Sequence, residues 1–242
     1  MNYEIKRKGY KMGIKERATK SRNGIQQGIY FVINPLVKVM IKCGITPNMV
    51  TTIGLLGNIA AAVVIVWAAA VDSTLHTLYS RLILAGALII GFSLFDMLDG
   101  QVARIGGKVT KFGAMYDSVL DRYCELFELG AISFYFIQRG SLAGALITFL
   151  ALVGSIMVSY VRARAEGLGL ECKIGFMQRP ERVVLTSLAV MATGITGVSV
   201  DPYSTFNPDI ILLIAMIVIA VFANLTAFAR LGYSKSQMEN GK

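Results

Sequence analysis

Hydrophobic residues of the chain are concentrated in six long runs separated by short polar segments. The runs cover residues 49–71, 82–99, 113–137, 142–161, 183–200 and 210–229. Each is about 20 residues long, the length that an α-helix needs to cross a hydrocarbon core of roughly 30 Å. The pattern therefore predicts an all-α membrane protein with six transmembrane helices, and it leaves no room for a second folded domain.

A mixed segment precedes the first run. Residues 25–43 combine apolar positions with Lys38 and Lys42, and Pro35 interrupts a regular helix there. We interpret the segment as a juxtamembrane amphipathic helix lying in the membrane interface, with a basic tether as the alternative. The predicted organisation is a basic cytoplasmic arm with the interfacial helix over 1–46, a six-helix domain over 47–230 and a cytoplasmic tail over 231–242.

Composition and charge support a membrane location. Of the 242 residues, 55% are hydrophobic and 16% are charged, which excludes a disordered chain and argues against a water-soluble one. With six spans, 21 of the 24 Lys and Arg residues fall on the side of both termini and two on the other side. By the positive-inside rule, both termini are cytoplasmic in a multi-pass protein of the cell membrane. The net charge of +9 thus indicates a lipid bilayer rather than nucleic acid, with a membrane-anchored nucleic-acid binder as a rival class.

Six of the 15 acidic residues lie within 33 residues that are otherwise typical of membrane helices. They are Asp96, Asp99, Asp117, Asp121, Glu125 and Glu128. An intramembrane carboxylate costs on the order of 3 kcal/mol on insertion scales, so such residues are functional candidates. The aspartates are spaced by three and by four residues, which puts each pair on one helix face. Two helices joined by the segment 100–112 would then bring four carboxylates together near the cytoplasmic end.

Four clustered carboxylates require a cation, because in a low dielectric they would otherwise become protonated. A set of oxygen ligands without Cys or His favours Mg²⁺, Mn²⁺ or Ca²⁺, and four carboxylates suit a two-metal phosphoryl-transfer site. The single histidine, His76, falls in an external loop, so a cytoplasmic general base must be another group. One alternative is a set of buried ion pairs with Arg104, Arg122 or other basic residues, but one or two arginines cannot balance six acids. Another is an ion-coupled transporter, which would need acids at the midplane and internal repeats.

The acidic stretch resembles the signature of a known enzyme family. It reads Asp96-x₂-Asp99-Gly100-x₂-Ala103-Arg104-x₈-Gly113-x₃-Asp117-x₃-Asp121. These eight fixed positions over 26 residues match the CDP-alcohol phosphatidyltransferase family without a gap or substitution. The resemblance implies six transmembrane helices, a homodimer and a cytoplasmic site with two Mg²⁺ or Mn²⁺ ions per protomer. It also implies that an alcohol hydroxyl displaces CMP from CDP-diacylglycerol.

The same resemblance implies roles for individual residues. The implied metal ligands are Asp96, Asp99, Asp117 and Asp121, and the last of these is also the proposed general base. The residues implied to contact the CDP-lipid are Gly100, Arg104, Gly113, Asn48 and Thr51. Of these, Asn48 and Thr51 belong to a shorter and commoner match at the start of the first run.

A basic segment between the fourth and fifth runs indicates the acceptor. Its candidate residues are Ser159, Arg162, Arg164, Arg179 and Arg182. Cytoplasmic arginines favour an acceptor that itself carries a phosphate, and the alternative is that they serve topology and lipid headgroups. The pattern YVRARAEGLGL followed by RPER is similar to that of phosphatidylinositol-phosphate synthases within the family, which implies inositol 1-phosphate as the acceptor. Glycerol 3-phosphate, giving phosphatidylglycerophosphate, is the alternative.

The glutamates near these motifs have two kinds of expected role. Glu166 and Glu181 are interleaved with the arginines and are suited to hold them in place. Glu125 and Glu128 continue the face of the second aspartate pair. They either contact inositol hydroxyls or pair with Arg122, and the sequence leaves this choice open.

Overall fold

The structure of the chain is a computed structural model, which describes residues 34–71, 74–201 and 204–241 except for the side chains of residues 96 and 97. These residues form helices joined by short loops, with no strand among them. The helices are α1 (34–42), α2 (Pro47–Ala70), α3 (Leu75–Ser93), α4 (Phe95–Ile105), α5 (Lys111–Gln138), α6 (Leu142–Gly167), α7 (Arg179–Ser199) and α8 (Asp209–Glu239). The predicted all-α fold is confirmed.

Five helical stretches of the described chain are long and apolar enough to cross a membrane. They are Pro47–Ala70, Leu75–Ile105, Leu142–Gly167, Arg179–Ser199 and Asp209–Glu239. The helix α5 has 28 residues, which is long enough, but its acidic residues keep it outside this set. The count of six spans therefore stays a prediction.

The second predicted run, 82–99, is divided between two helices. The helix α3 begins seven residues earlier, at Leu75, and ends at Ser93, and α4 begins after a turn at Leu94. The carboxylate of Asp99 therefore lies on a separate helix of 11 residues that ends at Ile105. Only residues 106–110 connect α4 to α5, so the link between the two acidic helices is shorter than the predicted segment 100–112.

The helices α2, α3, α5, α6, α7 and α8 share one apolar core. Small residues allow some of them to approach closely: a Cβ at Gly194 of α7 would lie 2.7 Å from the backbone nitrogen of Ile83 on α3. Likewise, a Cβ at Gly57 of α2 would overlap the ring of Phe92 on α3. Such small-residue contacts are typical of helix packing in membranes.

The segment before the first run is helical where it is described. Val37 and Met40 of α1 are buried in a small cluster with residues of α2 and α4, whereas Leu36 and Val39 are exposed. The cluster fixes α4 against the start of α2. Residues 1–33, which include the predicted basic arm and the first part of the interfacial segment 25–43, lie outside the described chain.

A buried polar cluster joins three helices at the end of α5 that is remote from α4. The carboxylate of Asp209, at the start of α8, accepts hydrogen bonds from Tyr135 Oη at 2.6 Å and from Arg139 Nε at 2.8 Å. Tyr79 Oη of α3 donates to the same carboxylate at 3.2 Å. Because these partners satisfy the buried charge, the cluster fastens α3, α5 and α8 to one another.

Candidate active site

A cavity of about 330 Å³ lies where α2, α4 and α5 meet. Seven of the residues that line it were singled out from the sequence: Asn48, Thr51, Asp99, Gly100, Arg104, Gly113 and Asp117. They come from three helices and span 70 residues of sequence. The fold thus brings the two predicted nucleotide-contacting stretches to one place.

The carboxylate of Asp99 is held by a neighbouring helix. Thr51 Oγ1 of α2 donates a hydrogen bond to Asp99 Oδ2 at 2.6 Å, and both side chains are buried. Asp117 lines the same cavity from α5. Two carboxylates from separate helices therefore face one space, as the spacing of the motif suggested.

The cavity also carries groups that attract anions. The helices α2 and α5 both begin at its wall, and their first turns are capped by Thr46 and Thr110. The start of a helix bears a partial positive charge and binds phosphate readily. Arg104 and Lys108 add two full positive charges to the lining. A site with both carboxylates and anion-binding groups suits a diphosphate that is bound together with metal ions.

The two glycines of the motif keep the cavity open. A Cβ at Gly113 would lie 3.0 Å from Thr110 Oγ1 and 3.5 Å from Asn48 Oδ1, so a side chain there would narrow the gap between α5 and α2. A Cβ at Gly100 would lie 3.3 Å from Arg104 Nη2. Arg104 Nε donates to the Gly100 carbonyl at 3.0 Å, which directs the guanidinium along the cavity wall.

The donor set fits a hard divalent cation. Carboxylate oxygens are the ligands that Mg²⁺ and Mn²⁺ prefer, and Asp99 and Asp117 supply them from two sides of the cavity. Asp96 precedes Asp99 by three residues on α4, but its side chain is outside the description. Among the side chains that are described, no group of three or more acidic, His or Cys residues forms a ready metal site. A complete set would therefore need the carboxylate of Asp96.

Asp121 joins the aspartate motif to the arginine segment. It follows Asp117 by one turn of α5 and is buried. Arg179 Nη2, at the start of α7, lies 2.9 Å from Asp121 Oδ1, and Arg122 Nη1 lies 3.7 Å from Asp121 Oδ2. The predicted base is therefore in direct contact with one of the predicted acceptor-binding arginines.

Three of the other predicted acceptor residues, Ser159, Arg162 and Arg164, lie in the last part of α6. Arg162 Nε contacts Glu166 Oε1 at 2.8 Å, which agrees with the expected role of this glutamate. Arg164 is exposed in the last turn of α6, and Ser159 is buried. Predicted acceptor arginines therefore lie both before and after residues 168–178 along the chain.

Arg182 is placed differently from the other arginines. Only 2% of it is exposed, and its Nε and Nη2 donate to Glu125 Oε1 at 2.9 and 2.6 Å. Its Nη1 donates to the Met177 carbonyl at 3.1 Å. The guanidinium of Arg182 therefore binds partners inside the protein, and its predicted contact with phosphate stays a prediction. The ion pair that Glu125 forms is with Arg182, whereas Arg122 lies nearest to Asp121, so the expected pairing of Glu125 with Arg122 is not what the structure shows; its expected contact with inositol hydroxyls stays a prediction.

Two polar lining residues, Lys108 and Thr110, were missed in the sequence. Lys108 was counted only as a topology signal, although its position between the two halves of the motif places it at the cavity. Thr110 precedes Gly113 by three residues, and its Oγ1 accepts a hydrogen bond from Gly113 N at 2.9 Å. Threonine is a favoured N-cap residue, because its hydroxyl can accept a hydrogen bond from the backbone N–H three residues later. Thr110 could therefore have located the start of α5.

Comparison with known proteins agrees with this geometry. Residues 44–223 match the family model described as CDP-alcohol phosphatidyltransferase. Because the match covers more than half of the chain, the chain belongs to the CDP-alcohol phosphatidyltransferase family. It is an integral membrane transferase of phospholipid biosynthesis, of the EC 2.7.8 type.

Individual relatives narrow the comparison. The phosphatidylinositol phosphate synthase of Corynebacterium glutamicum is 34% identical over 175 residues, which cover 72% of this chain and 73% of the relative. A crystal structure of the Mycobacterium tuberculosis phosphatidylinositol phosphate synthase with CDP-DAG bound has a TM-score of 0.69 and 27% identity, covering 84% of this chain and 93% of the other. The same enzyme with manganese and citrate has a TM-score of 0.67 and 28% identity, covering 84% of this chain and 88% of the other.

Proposed function

We propose that the chain transfers the phosphatidyl group of CDP-diacylglycerol to a hydroxyl of inositol 1-phosphate, giving phosphatidylinositol phosphate and CMP. The observation that carries the proposal is the contact between Asp121 and Arg179. It puts a candidate base on the aspartate motif within reach of a phosphate-binding arginine. An acceptor with a phosphate on one carbon and a hydroxyl on another could use both groups at once.

The residues of the cavity account for the donor half of the reaction. The start of α5, together with Arg104 and Lys108, would bind the diphosphate, while Asn48 and Thr51 line the same space from α2. When bound by Asp96, Asp99, Asp117 and Asp121, two Mg²⁺ or Mn²⁺ ions would neutralise the diphosphate and the charge that develops on departing CMP. The structure of a relative in complex with manganese supports this choice of metal.

The transfer itself is a direct displacement. The acceptor hydroxyl forms a bond to the phosphorus that carries diacylglycerol, and the bond from that phosphorus to the oxygen of CMP breaks. The hydroxyl proton passes to the carboxylate of Asp121, which acts as a general base. No covalent intermediate with the enzyme is needed.

Arginines from two helices would select the acceptor. Arg179 from α7, with Arg162 and Arg164 from α6, offers guanidinium forks that match a phosphate monoester better than a free hydroxyl. Ser159 and Arg182 complete the predicted set. The relatives named as phosphatidylinositol phosphate synthases support inositol 1-phosphate over other phosphorylated alcohols.

The topology of the proposal places this site at the cytoplasmic face. We add α5 to the five apolar spans, which makes six. Its 28 residues cross the core between α2 and α6, and its acidic residues lie toward the end nearest α4. Six spans put both termini, the cavity and the arginines on the cytoplasmic side. The domain boundaries 1–46, 47–230 and 231–242 and the homodimer belong to the same proposal. In the structure α8 continues to Glu239, so most of the expected tail is helical.

A panel of acceptors tests the proposal. Purified protein in detergent receives CDP-diacylglycerol and Mg²⁺ with inositol 1-phosphate, glycerol 3-phosphate, free inositol or serine, and CMP and the lipid product are measured. We expect inositol 1-phosphate to give the highest kcat/KM. A preference for glycerol 3-phosphate would make that compound the acceptor instead of inositol 1-phosphate. Equal use of free inositol would show that the arginines do not select a phosphorylated acceptor.

A further inference from the structure

The connection between α6 and α7 separates the predicted acceptor arginines of the two helices. We call residues 168–178 the α6–α7 loop. It contains no regular secondary structure, yet Leu170, Cys172 and Met177 are all buried. Arg162 and Arg164 precede the loop and Arg179 follows it directly. Whatever fixes the loop therefore also fixes the separation between these arginines.

The loop is attached along one face of α8. Thr226, Arg230 and Ser234 are spaced by four residues, so they lie above one another on the helix. Thr226 Oγ1 accepts a hydrogen bond from Met177 N at 3.4 Å, and Ser234 Oγ lies 3.7 Å from Cys172 Sγ. The loop thus follows the helix from Met177 back to Cys172.

The approach between the loop and α8 is close enough to require glycine. Gly175 has φ +111°, a conformation that side chains rarely adopt, and a Cβ there would overlap Thr226 Cγ2. This closeness is independent of the hydrogen bonds. Both features indicate a built contact rather than a loop that happens to lie near the helix.

Arg230 lies at the centre of the contact. Only 2% of it is exposed. Its Nε donates to the Ile174 carbonyl at 2.8 Å, and its Nη1 donates to the Val158 carbonyl at 2.7 Å. Ile174 belongs to the loop, whereas Val158 belongs to α6, one turn before Arg162. A single guanidinium therefore ties α8 to both elements that carry the acceptor arginines.

The chemistry of this contact favours arginine specifically. Burial of a positive charge is costly, and the described contacts of this guanidinium are with carbonyl oxygens rather than with a carboxylate. A guanidinium can reach two carbonyls in different directions with separate nitrogens. A lysine would have to serve both from one nitrogen.

We propose that Arg230 is a positioning residue for the acceptor site, acting through the Ile174 and Val158 carbonyls. It holds the α6–α7 loop so that Arg162, Arg164 and Arg179 meet the same acceptor phosphate. The inference rests on the proposed function. It assigns a role in acceptor binding to a residue that lies outside both sequence motifs.

Substrate kinetics test the role directly. In Arg230→Met, we expect the KM for inositol 1-phosphate to rise about 10-fold or more, because Arg162, Arg164 and Arg179 are no longer held where all three reach the same phosphate. The KM for CDP-diacylglycerol should stay within about twofold, since Arg230 does not line the cavity. Arg230→Lys should recover part of the loss. The matched control is Lys235→Met, an exposed cation on the same helix that pairs with Glu239 at 3.6 Å, and both of its KM values should be unchanged.

A second variant and a second readout cover the case in which Arg230→Met does not fold. Thr226→Val removes one hydrogen bond to the loop while keeping the shape of the side chain, and we expect about a threefold rise in the acceptor KM. Lys173 lies in the loop and is exposed, so trypsin cleavage after it reports on loop attachment. Cleavage should be several-fold faster in Arg230→Met and unchanged in Lys235→Met.

The outcomes separate this inference from the proposed function. An unchanged acceptor KM in Arg230→Met and Thr226→Val, or an equal rise in both KM values, would overturn the positioning role. If the parent protein releases no CMP with any phosphorylated acceptor, the proposed function fails. In that case the cleavage comparison still decides whether Arg230 holds the loop, and unchanged cleavage would overturn that as well.

Discussion

At the scale of single residues, Thr51 orients a carboxylate that faces the cavity. Its hydroxyl lies on α2, whereas its partner Asp99 lies on α4, and the hydrogen bond from Thr51 Oγ1 to Asp99 Oδ2 measures 2.6 Å. A partner that orients a metal-binding group can matter nearly as much as the ligand, since losing it typically costs 10–100-fold in metal affinity or activity. Removing the Thr51 hydroxyl is therefore a more selective test of the metal site than removing the aspartate itself.

We expect Thr51→Val to raise the Mg²⁺ concentration for half-maximal CMP release by about 10–100-fold. The variant keeps the shape of the side chain and removes only the donor. Thr52→Val is the matched control, because Thr52 Oγ1 donates to the Asn48 carbonyl and contacts Tyr116 rather than an aspartate. A Thr51→Val protein with the parent's Mg²⁺ dependence would argue against metal binding by Asp99.

The buried pair of Glu125 and Arg182 gives a second prediction at this scale. Removing one partner leaves an uncompensated buried charge, so Glu125→Leu should lower the free energy of unfolding by about 3–5 kcal/mol. Adding Arg182→Met should recover most of that loss, because an apolar pair replaces both charges. Denaturant titration in detergent measures both variants. Losses that simply add in the double variant would show that Glu125 and Arg182 do not stabilise each other, which would contradict the buried pair.

At the scale of helices, close packing of α3 against α7 depends on one glycine. A Cβ at Gly194 would lie 2.7 Å from both the backbone nitrogen of Ile83 and the carbonyl oxygen of Tyr79. Because backbone atoms cannot move aside as a side chain can, the two helices would have to separate. The same separation would disturb Tyr79, which belongs to the polar cluster around Asp209.

We therefore expect Gly194→Ala to cost about 1–3 kcal/mol of stability, as overpacking usually does. Gly91→Ala is the control: it also lies in a helix, and a Cβ there would meet no heavy atom within 4 Å. That substitution should be neutral or stabilising by up to about 1 kcal/mol, since alanine favours helix more than glycine does. Thermal unfolding in detergent compares the two. Equal midpoints would contradict the packing described for α3 and α7.

The helices show which features could be predicted from the sequence and which could not. Apolar runs located α2, α6, α7 and α8, because hydropathy follows directly from burial in lipid. The turn at Leu94 could not be predicted, since residues 82–95 form an apolar run without Pro, and Gly91 and Ser93 are both compatible with a continuous membrane helix. The start of α3 at Leu75 was also missed, because its first two turns are polar enough to lie outside a hydropathy window.

The candidate site shows the same division. Asp99 and Asp117 are close in sequence, and their approach to one cavity followed from helical periodicity and a short link between their helices. The pairing of Arg182 with Glu125 spans 57 residues, and the contact of Arg230 with Ile174 spans 56. No local pattern marks such partners. They depend on how α5, α7 and α8 pack, which periodicity does not determine.

At the scale of the whole molecule, the distribution of Lys and Arg along the chain predicts its orientation in the membrane. Six spans put residues 168–178 inside and residues 200–208 outside, whereas five spans without α5 would reverse both. Lys173 and Thr205 are exposed and lie on either side of α7. A cysteine at each position therefore distinguishes the two topologies.

We expect Thr205→Cys to react with a membrane-impermeant maleimide on intact cells, and Lys173→Cys to react only after the cells are opened. Cys43 is replaced first, since it is exposed whereas Cys124 and Cys172 are buried. The parent lacking Cys43 serves as the background. Labelling of Lys173→Cys from outside would remove α5 from the set of spans and would place the arginines on the wrong face for a cytoplasmic acceptor.

The most direct test of the whole account is CMP release by purified protein from CDP-diacylglycerol, Mg²⁺ and inositol 1-phosphate, compared with Asp121→Asn. The account predicts one CMP per molecule of phosphatidylinositol phosphate. It also predicts a fall in kcat of about 10²–10⁴-fold in the variant, the usual contribution of a general base, with CDP-diacylglycerol binding retained. No CMP from the parent with any phosphorylated acceptor, or a variant as active as the parent, would contradict the account.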